Sequence, residues 1–166
     1  MRRHHYRVDR DAYRPSGRTL PADLEIRLPV VEDRMALADL MMDSYIGTID
    51  YDGETHDQAV EEVDGALGGE ALLSQSLLAV RDGVIQSAVL VNKANKDAFI
   101  GYVMTRAAVK GEGLASALLD LSAEAIWKAG YERITAWITE GNGPSEAIFL
   151  RAGFEVIGTW DSEKQE

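Results

Sequence analysis

The run from Lys110 to Ser116 contains the residues whose types and spacing most clearly suggest chemistry. It reads Lys-Gly-Glu-Gly-Leu-Ala-Ser, with glycines at 111 and 113. Glycines let a chain turn with its N–H groups pointing outward, and a following helix adds unpaired N–H donors and the positive end of its dipole. Such a turn can bind a pyrophosphate, to which Lys110 would add a charge. Glycines also close many ordinary strand-to-helix turns, so both interpretations stay open.

Two familiar phosphate-binding patterns fit this run poorly. The dinucleotide fingerprint needs GxGxxG and then a second strand that ends in an acid. Gly111, Gly113 and Ser116 match it in part, and Glu140 ends the next predicted strand. Too little chain follows Glu140 for a doubly wound half, and hairpin-linked strands precede the run. The P-loop pattern is excluded because the sequence has no Gly-Lys-Ser or Gly-Lys-Thr.

A second candidate region is acidic. No Lys or Arg occurs from Met35 to Val80, and Asp50, Asp52 and Glu54 fall in a loop between two predicted helices. Carboxylates can take a proton from a substrate and can concentrate a cationic ligand. An acidic segment is equally typical of a solvated face. The candidates for a catalytic base are Glu54 and Asp50 from this loop, together with Glu140 at the end of its predicted strand.

Composition excludes several classes of protein. The chain has 166 residues, 46% hydrophobic and 27% charged, as expected for one globular domain with its own core. It has no cysteine, and its three histidines lack zinc-ligand spacing, so we expect no disulfide, no thiolate nucleophile and no metal. A net charge of −11 argues against nucleic acid as a partner. Because no apolar stretch could span a membrane and no secretory signal is visible, we expect no membrane association and a cytoplasmic location.

Ten predicted elements must position these residues, in the order β α α β β β α β α β. The two helices on either side of the acidic loop are predicted from their possible N-cap residues. These are Glu32 or Asp33 for the first helix, and Thr55 or Asp57 for the second. Strands are predicted at 24–30, 76–80, 84–91, Ala98–Arg106, Arg133–Thr139 and 154–160, and later helices at 114–129 and 144–152. Short connections make the first strands antiparallel, whereas a helical crossover makes Ala98–Arg106 parallel to Arg133–Thr139.

Residues 1–21 are predicted to form a basic N-terminal arm ahead of one globular domain over 22–166. The arm holds six arginines, together with Pro15 and Pro21. Its composition favours a segment that is disordered or folded onto the acidic body.

The stretch from Ala98 to Trp160 resembles the GNAT superfamily of acetyl-CoA-dependent N-acetyltransferases. The family's phosphate loop reads Q/R-x-x-G-x-G/A between a strand and a long helix, and Lys110 to Ala115 matches it with Lys in the first position. The family then has N-x-x-A-x-x-x-Y followed by Gly-Phe. Here Asn142 to Phe149 matches the first part, with Phe in place of Tyr, and Gly153-Phe154 follows.

This resemblance implies a single-domain α/β fold. Its mixed sheet would have six or seven strands, about four flanking helices, and a splay between Ala98–Arg106 and Arg133–Thr139 that admits the pantetheine arm of the cofactor. The cofactor-binding residues that the resemblance implies are Val103, Met104, Thr105, Lys110, Gly111, Glu112, Gly113, Leu114, Ala115, Ser116, Asn142 and Phe149.

The resemblance also implies an activity: transfer of an acetyl or small acyl group from acetyl-CoA to a small-molecule or peptide amine, by direct attack in a ternary complex and without a metal. The acidic segment favours a cationic amine, a backbone N–H near Met104 would stabilise the oxyanion, and a homodimer remains open. The family's tyrosine, which protonates the leaving thiolate, falls on Phe149, and phenylalanine has no proton to give. The alternative is therefore a degenerate acyl-CoA-binding sensor or scaffold without turnover, and a nucleotide-binding module is a more distant one.

Overall fold

The strands form where apolar and polar residues alternate or where a buried sheet favours continuous apolar runs. In the computed structural model, which describes residues 1–164, seven strands make one sheet. Their bounds are Arg2–Asp9 (β1), Glu25–Arg27 (β2), Leu77–Arg81 (β3), Val84–Ala94 (β4), Asp97–Thr105 (β5), Arg133–Thr139 (β6) and Glu155–Asp161 (β7).

Four α-helices flank this sheet within the described residues: Arg34–Tyr45 (α1), His56–Leu67 (α2), Leu114–Lys128 (α3) and Gly143–Arg151 (α4). The predicted Thr55 cap of α2 is confirmed, because Gln58 N–H donates to Thr55 Oγ1 (3.2 Å) and Thr55 N–H donates to Gln58 Oε1 (2.8 Å). None of the helices in residues 1–164 is long and apolar enough to cross a lipid bilayer.

The strand order across the sheet is β2-β3-β4-β5-β6-β1-β7. All neighbouring pairs are antiparallel except β5 and β6, which are parallel across the α3 crossover. The predicted fold class, a mixed α/β sheet of six or seven strands with about four helices, is confirmed.

The N-terminal segment differs from the sequence expectation. Arg2–Asp9 does not form an arm outside the domain but pairs with β6 on one side and β7 on the other. Tyr6 and Val8 lie in the core, with 3% and 2% of their surfaces exposed. Arg3 and Arg7 alternate with these residues along the strand, so the face of β1 opposite the buried side chains is basic.

Two hydrophobic clusters hold the layers together, one on each face of the sheet. Helices α1 and α2 pack Leu37, Leu40 and Val63 against β3, β4 and β5. Helix α3 packs Leu118 and Ile126 against the other face, where Phe149 of α4 and Phe154 complete the cluster; their rings meet edge to face at 4.9 Å.

A bulge in β5 opens the sheet between its two parallel strands. The β4–β5 register shifts so that Leu90 pairs with Tyr102 and Val91 pairs with Ile100, which leaves Gly101 as the extra residue. The last β5–β6 pair is Ile100 with Ala136, although both strands continue beyond it. The predicted splay is therefore present, and it begins at the bulge.

Candidate active site

A cavity of about 580 Å³ lies where β5 and β6 separate. The α1–α2 connection, α2, β5, β6 and the start of α4 all contribute to its wall. We call it the splay cavity; its lining includes Arg3, Tyr45, Asp50, Tyr51, Glu54, Glu62, Phe99, Tyr102, Val103, Trp137, Thr139, Asn142, Ser145 and Phe149. Acidic and aromatic side chains share this wall, an environment that suits an amine cation.

The connection between α1 and α2 brings two of the predicted acids into the splay cavity. It turns at once after Tyr45, where Thr48 Oγ1 donates to the Tyr45 carbonyl (2.7 Å). Asp50 Oδ2 then accepts from Asn142 Nδ2 (2.5 Å), which joins this loop to α4 across the opening. Glu54 Oε2 accepts from the Asp52 N–H (2.9 Å) and also lines the cavity. Asp50 and Glu54 of this loop therefore meet Asn142, which is far from them in the sequence, at one site.

A third acid, Glu62, was missed by the sequence analysis. It lies on α2, and Tyr102 donates its hydroxyl to Glu62 Oε2 (2.9 Å). Burial, and then the nearby carboxylate, raise the pKa of Tyr102 above the ordinary tyrosine range, so this hydroxyl keeps its proton. A usable signal existed: Ala59, Glu62 and Ala66 have i, i+3, i+7 spacing from a capped helix start, and all three line the splay cavity.

The backbone of β5 beyond the bulge faces the opening. Arg106 N–H donates to the Gln86 carbonyl of β4 (2.8 Å), whereas Thr105 N–H donates to Ser44 Oγ on the other side (3.2 Å). Because strand N–H groups alternate in direction, the N–H of Val103 points toward the opening and that of Met104 toward β4. The Met104 side chain is fully buried in the α1–α2 cluster. The N–H group near Met104 that can face a bound thioester is therefore that of Val103.

The glycine-rich run keeps its predicted place before α3. Gly111 and Gly113 have φ of +87° and +81°, the left-handed region that glycine adopts without a steric cost. Gly113 is the N-cap of α3, so the N–H groups of Leu114, Ala115 and Ser116 open the helix. The Leu114 side chain is buried, and only its backbone could meet a ligand.

Lys110 is directed differently from the sequence expectation. Its ammonium donates to the Ser44 carbonyl (2.6 Å) at the end of α1, away from a phosphate on the glycine turn. The cause is local: the last carbonyls of α1 lack helical partners and attract a cation. Glu112 lies in the turn itself and is exposed.

Helix α4 places Asn142 and Phe149 on the wall of the splay cavity. Asn142 caps the helix by accepting from Ser145 N–H (3.4 Å), and Pro144 occupies its first turn. Phe149 is only 4% exposed and packs on Phe154. A benzyl group thus occupies the position where the resembled family has a phenol.

Glu140 does not join the other candidate bases. It lies outside the splay cavity, and its carboxylate pairs with Arg2 (3.4 Å) and His4 (3.9 Å) of β1. The expectation that it sits beside the splay as a base is not supported by this geometry, because the partners that hold it come from a strand that the sequence analysis missed. No group of three or more potential metal ligands occurs within residues 1–164.

Comparison with known proteins finds one family whose model matches this chain. The FR47-like protein family model matches residues 79–163, just over half of the chain. No curated protein sequence matches.

Several solved structures share the fold. A GCN5-related N-acetyltransferase from Sphaerobacter thermophilus has a TM-score of 0.74 and 19% identity over 95% of this chain. The chain spans only 49% of that protein. The PaiA N-acetyltransferase of Thermoplasma acidophilum, solved with coenzyme A, has a TM-score of 0.68 and 17% identity over 84% of this chain and 93% of its own. The ribosomal-protein-S18-alanine N-acetyltransferase of Escherichia coli has a TM-score of 0.65 and 13% identity over 78% of this chain and 76% of its own.

Proposed function

The chain belongs to the FR47-like family of the GNAT superfamily, and from this premise we propose that it transfers an acetyl or other small acyl group from acetyl-CoA to a cationic amine. The observation that carries the proposal is the opening between β5 and β6. The splay cavity, with its acids and aromatic rings, lies at this opening and reaches Phe149, which belongs to the hydrophobic cluster on the α3 side of the sheet. A long thioester can lie through the opening with its acyl group at the cavity.

The cofactor would be held mainly by backbone groups. The turn at Gly111 and Gly113 and the first N–H groups of α3 would bind the pyrophosphate. The unpaired β5 backbone beyond Ile100 would pair with the amide groups of pantetheine, as an added strand does. Asn142, Ser145 and Phe149 would contact the arm from α4.

The transfer itself requires few protein groups. The amine nitrogen attacks the thioester carbonyl carbon, and the carbonyl electrons move to the oxygen, which the Val103 N–H stabilises. As the intermediate collapses, the C–N bond remains, the C–S bond breaks, and CoA leaves as a thiolate that takes its proton from water. A thiolate needs less help from an acid than an amine or alkoxide would, so Phe149 is compatible with turnover.

The ammonium group must lose one proton before its nitrogen can attack, and we assign the acceptance of this proton to Glu54. The nitrogen gives a second proton to water as the C–S bond breaks, and water in turn supplies the proton that the thiolate takes. Asp50 already accepts a hydrogen bond from Asn142, Glu62 accepts one from Tyr102, and Glu140 lies outside the splay cavity. Glu54 accepts from one backbone N–H and is half-buried at the cavity wall. Asp50 and Glu62 would add to the negative field that attracts the cation.

The acceptor is proposed to be a small-molecule or peptide amine. The aromatic side chains Tyr45, Tyr51, Phe99, Tyr102 and Trp137 line the same cavity as the acids. A cation close to these rings gains a favourable cation–π interaction. Arg3 is a basic residue on the wall and could pair with an anionic group carried by the acceptor.

One observation favours a second function. Phe149 replaces the family's tyrosine, so the chain could instead bind acyl-CoA without turnover, as a sensor or scaffold. Incubation with acetyl-CoA and a panel of polyamines, aminoglycosides and lysine peptides distinguishes the two. Acyl transfer predicts stoichiometric thiol release and an acetylated amine by mass spectrometry. Tight acetyl-CoA binding with no release above buffer for any amine would favour the sensor.

A further inference from the structure

A second cavity, of about 420 Å³, lies on the α3 face of the sheet. One wall is formed by α3 and α4, and the other by residues 13–19, which we call the strap. The strap follows β1 and crosses α3 on its way to β2 at the far edge of the sheet. We call this space the strap cavity.

Three arginines line the strap cavity: Arg14 and Arg18 from the strap and Arg151 from the end of α4. All three are exposed, and none forms an ion pair within residues 1–164. Other arginines of the chain do pair with carboxylates, including Arg2, Arg27, Arg34, Arg81 and Arg133. In a chain with a net charge of −11, three unpaired guanidinium groups around one cavity mark it as an anion site.

The acid in this wall does not neutralise the arginines. Asp120 accepts hydrogen bonds from Tyr13 Oη (2.7 Å), Ser16 Oγ (2.6 Å) and Ser16 N–H (2.9 Å). Arg14 N–H donates to the Ala152 carbonyl (2.8 Å), which fixes the strap to the end of α4 as well. Asp120 therefore holds the strap in place over the cavity.

The strap cavity adjoins the glycine turn. Ser116, the last residue of that run, is part of its wall. Arg18 lies directly on Gly113, because a Cβ atom built there would be 2.6 Å from Arg18 Nη1. The arginines thus extend the phosphate-binding turn along α3 toward the end of α4.

We propose that the strap is a cofactor-binding element that selects for the phosphorylated nucleotide end of CoA. This inference rests on the proposed function. Arg18 contacts the pyrophosphate above Gly113, while Arg14 and Arg151 bind the 3′-phosphate, a dianion that two guanidinium groups can hold in paired hydrogen bonds. The strap's position over the cavity depends on Asp120.

Calorimetry with CoA, 3′-dephospho-CoA and adenosine 3′,5′-bisphosphate tests the proposal. We expect the wild-type protein to bind CoA at least about tenfold more tightly than 3′-dephospho-CoA. It should also bind adenosine 3′,5′-bisphosphate, which lacks the pantetheine arm. Arg14→Gln and Arg151→Gln should each reduce the ratio to about threefold or less by weakening CoA binding only, since the lost contact is to the 3′-phosphate. Arg18→Gln should weaken both CoA forms together.

Arg10→Gln is the matched control, because Arg10 precedes the strap and does not line the cavity. It should leave the ratio unchanged. Equal affinity of the wild-type protein for CoA and 3′-dephospho-CoA, or an unchanged ratio in folded Arg14→Gln and Arg151→Gln, would overturn the inference and leave acyl transfer standing. Absence of binding by both CoA and the bisphosphate would overturn both. Binding of the bisphosphate with the expected ratios, but without turnover for any amine, would support the strap and contradict the transferase.

Discussion

At the residue scale, the proposed transfer must proceed without an acid at position 149, because Phe149 has no proton to give to the leaving thiolate. Its ring is buried at the cavity wall beside Phe154, and a tyrosine there would differ by one added oxygen. Phe149→Tyr should match or exceed the wild-type rate of acetyl transfer, by up to severalfold, because a hydroxyl group there can protonate the leaving thiolate, which needs less help from an acid than an amine or alkoxide would. Steady-state thiol release under saturating amine measures this.

Phe149→Leu is the control for that variant, since it changes the packing without adding an acid. A folded Phe149→Tyr protein that binds acetyl-CoA normally but transfers more slowly than Phe149→Leu would contradict the placement of this residue beside the thioester.

Glu54 carries the second residue-scale prediction. Glu54→Gln should lower kcat about 10²-fold or more, because the acceptor of the amine proton is lost. The affinity for acetyl-CoA should be unchanged. Glu140→Gln is the matched control, because its carboxylate pairs with Arg2 and His4 outside the splay cavity. Equal losses in the two variants would remove Glu54 as the base.

The residues of the candidate site that belong to short sequence motifs could be predicted from the sequence. Two such motifs can be recognised in one sequence from residue order and spacing. They contain Gly111 and Gly113, and Asn142 and Phe149. Glu62 and Tyr102 were not found, because their contact joins α2 to β5 and has no local signature. The bond from Lys110 to the Ser44 carbonyl was hidden for the same reason.

At the element scale, an ion pair fixes the start of α1 relative to β2. Arg27 donates to both oxygens of Asp33 (2.8 and 2.7 Å), and the Val30 N–H donates to Asp33 as well. The bond with Arg27 is the main reason that the pKa of Asp33 lies below its usual range. A carboxyl group whose pKa falls on folding stabilises the fold above its unfolded pKa, and this contribution is lost as pH falls through the folded value.

Asp33→Asn should therefore reduce the free energy of unfolding at pH 7 by about 2 kcal/mol. The difference from wild type should begin to shrink as pH falls below about 4, where the carboxyl group of the unfolded chain becomes protonated, and should vanish below the lower pKa of the folded state. Urea unfolding at a series of pH values measures both effects. Asp9→Asn is the comparison, because Asp9 pairs with Arg133 on the surface and should change stability by less than about 1 kcal/mol. A pH-independent effect of Asp33→Asn would contradict the role of its charge.

Elements with strong periodicity were predicted well. Strand β6 has its predicted bounds and α3 begins at the predicted residue, because alternation and a helical apolar stripe are local properties of the sequence. β1 was missed because only Tyr6 and Val8 are apolar among its outer arginines and histidines. Its partners β6 and β7 come from the other end of the chain, so the pairing cannot be recognised locally.

At the scale of the whole molecule, β1 connects the fold to the strap. The strand lies between β6 and β7, and its continuation crosses α3 and places Arg18 over the glycine turn at Gly113. The segment that looked like a basic arm is thus an interior strand followed by a covering loop. Five of its six arginines are exposed and Arg7 is half-buried, while Tyr6 and Val8 are part of the core.

Removing residues 1–21 should abolish cooperative folding. The shortened chain would leave β6 and β7 unpaired on facing edges and would lose Tyr6 and Val8 from the core. A typical small domain has a free energy of unfolding of only about 5–15 kcal/mol. Losing the two buried side chains together with the β1 hydrogen bonds on both sides costs a free energy of similar size. Thermal unfolding by circular dichroism measures this. A cooperative transition at the full-length midpoint would show instead that residues 22–166 form the domain alone.

The proposed function requires that acetyl-CoA presents its acyl group to the splay cavity through the opening between β5 and β6. A crystal structure of the protein with bound acetyl-CoA tests it most directly. We predict the pantetheine arm in the opening beyond Ile100 and Ala136, with the thioester oxygen within hydrogen-bonding distance of the Val103 N–H and the acetyl group facing Glu54. A complex in which the cofactor lies elsewhere and its thioester does not reach the splay cavity would contradict the account.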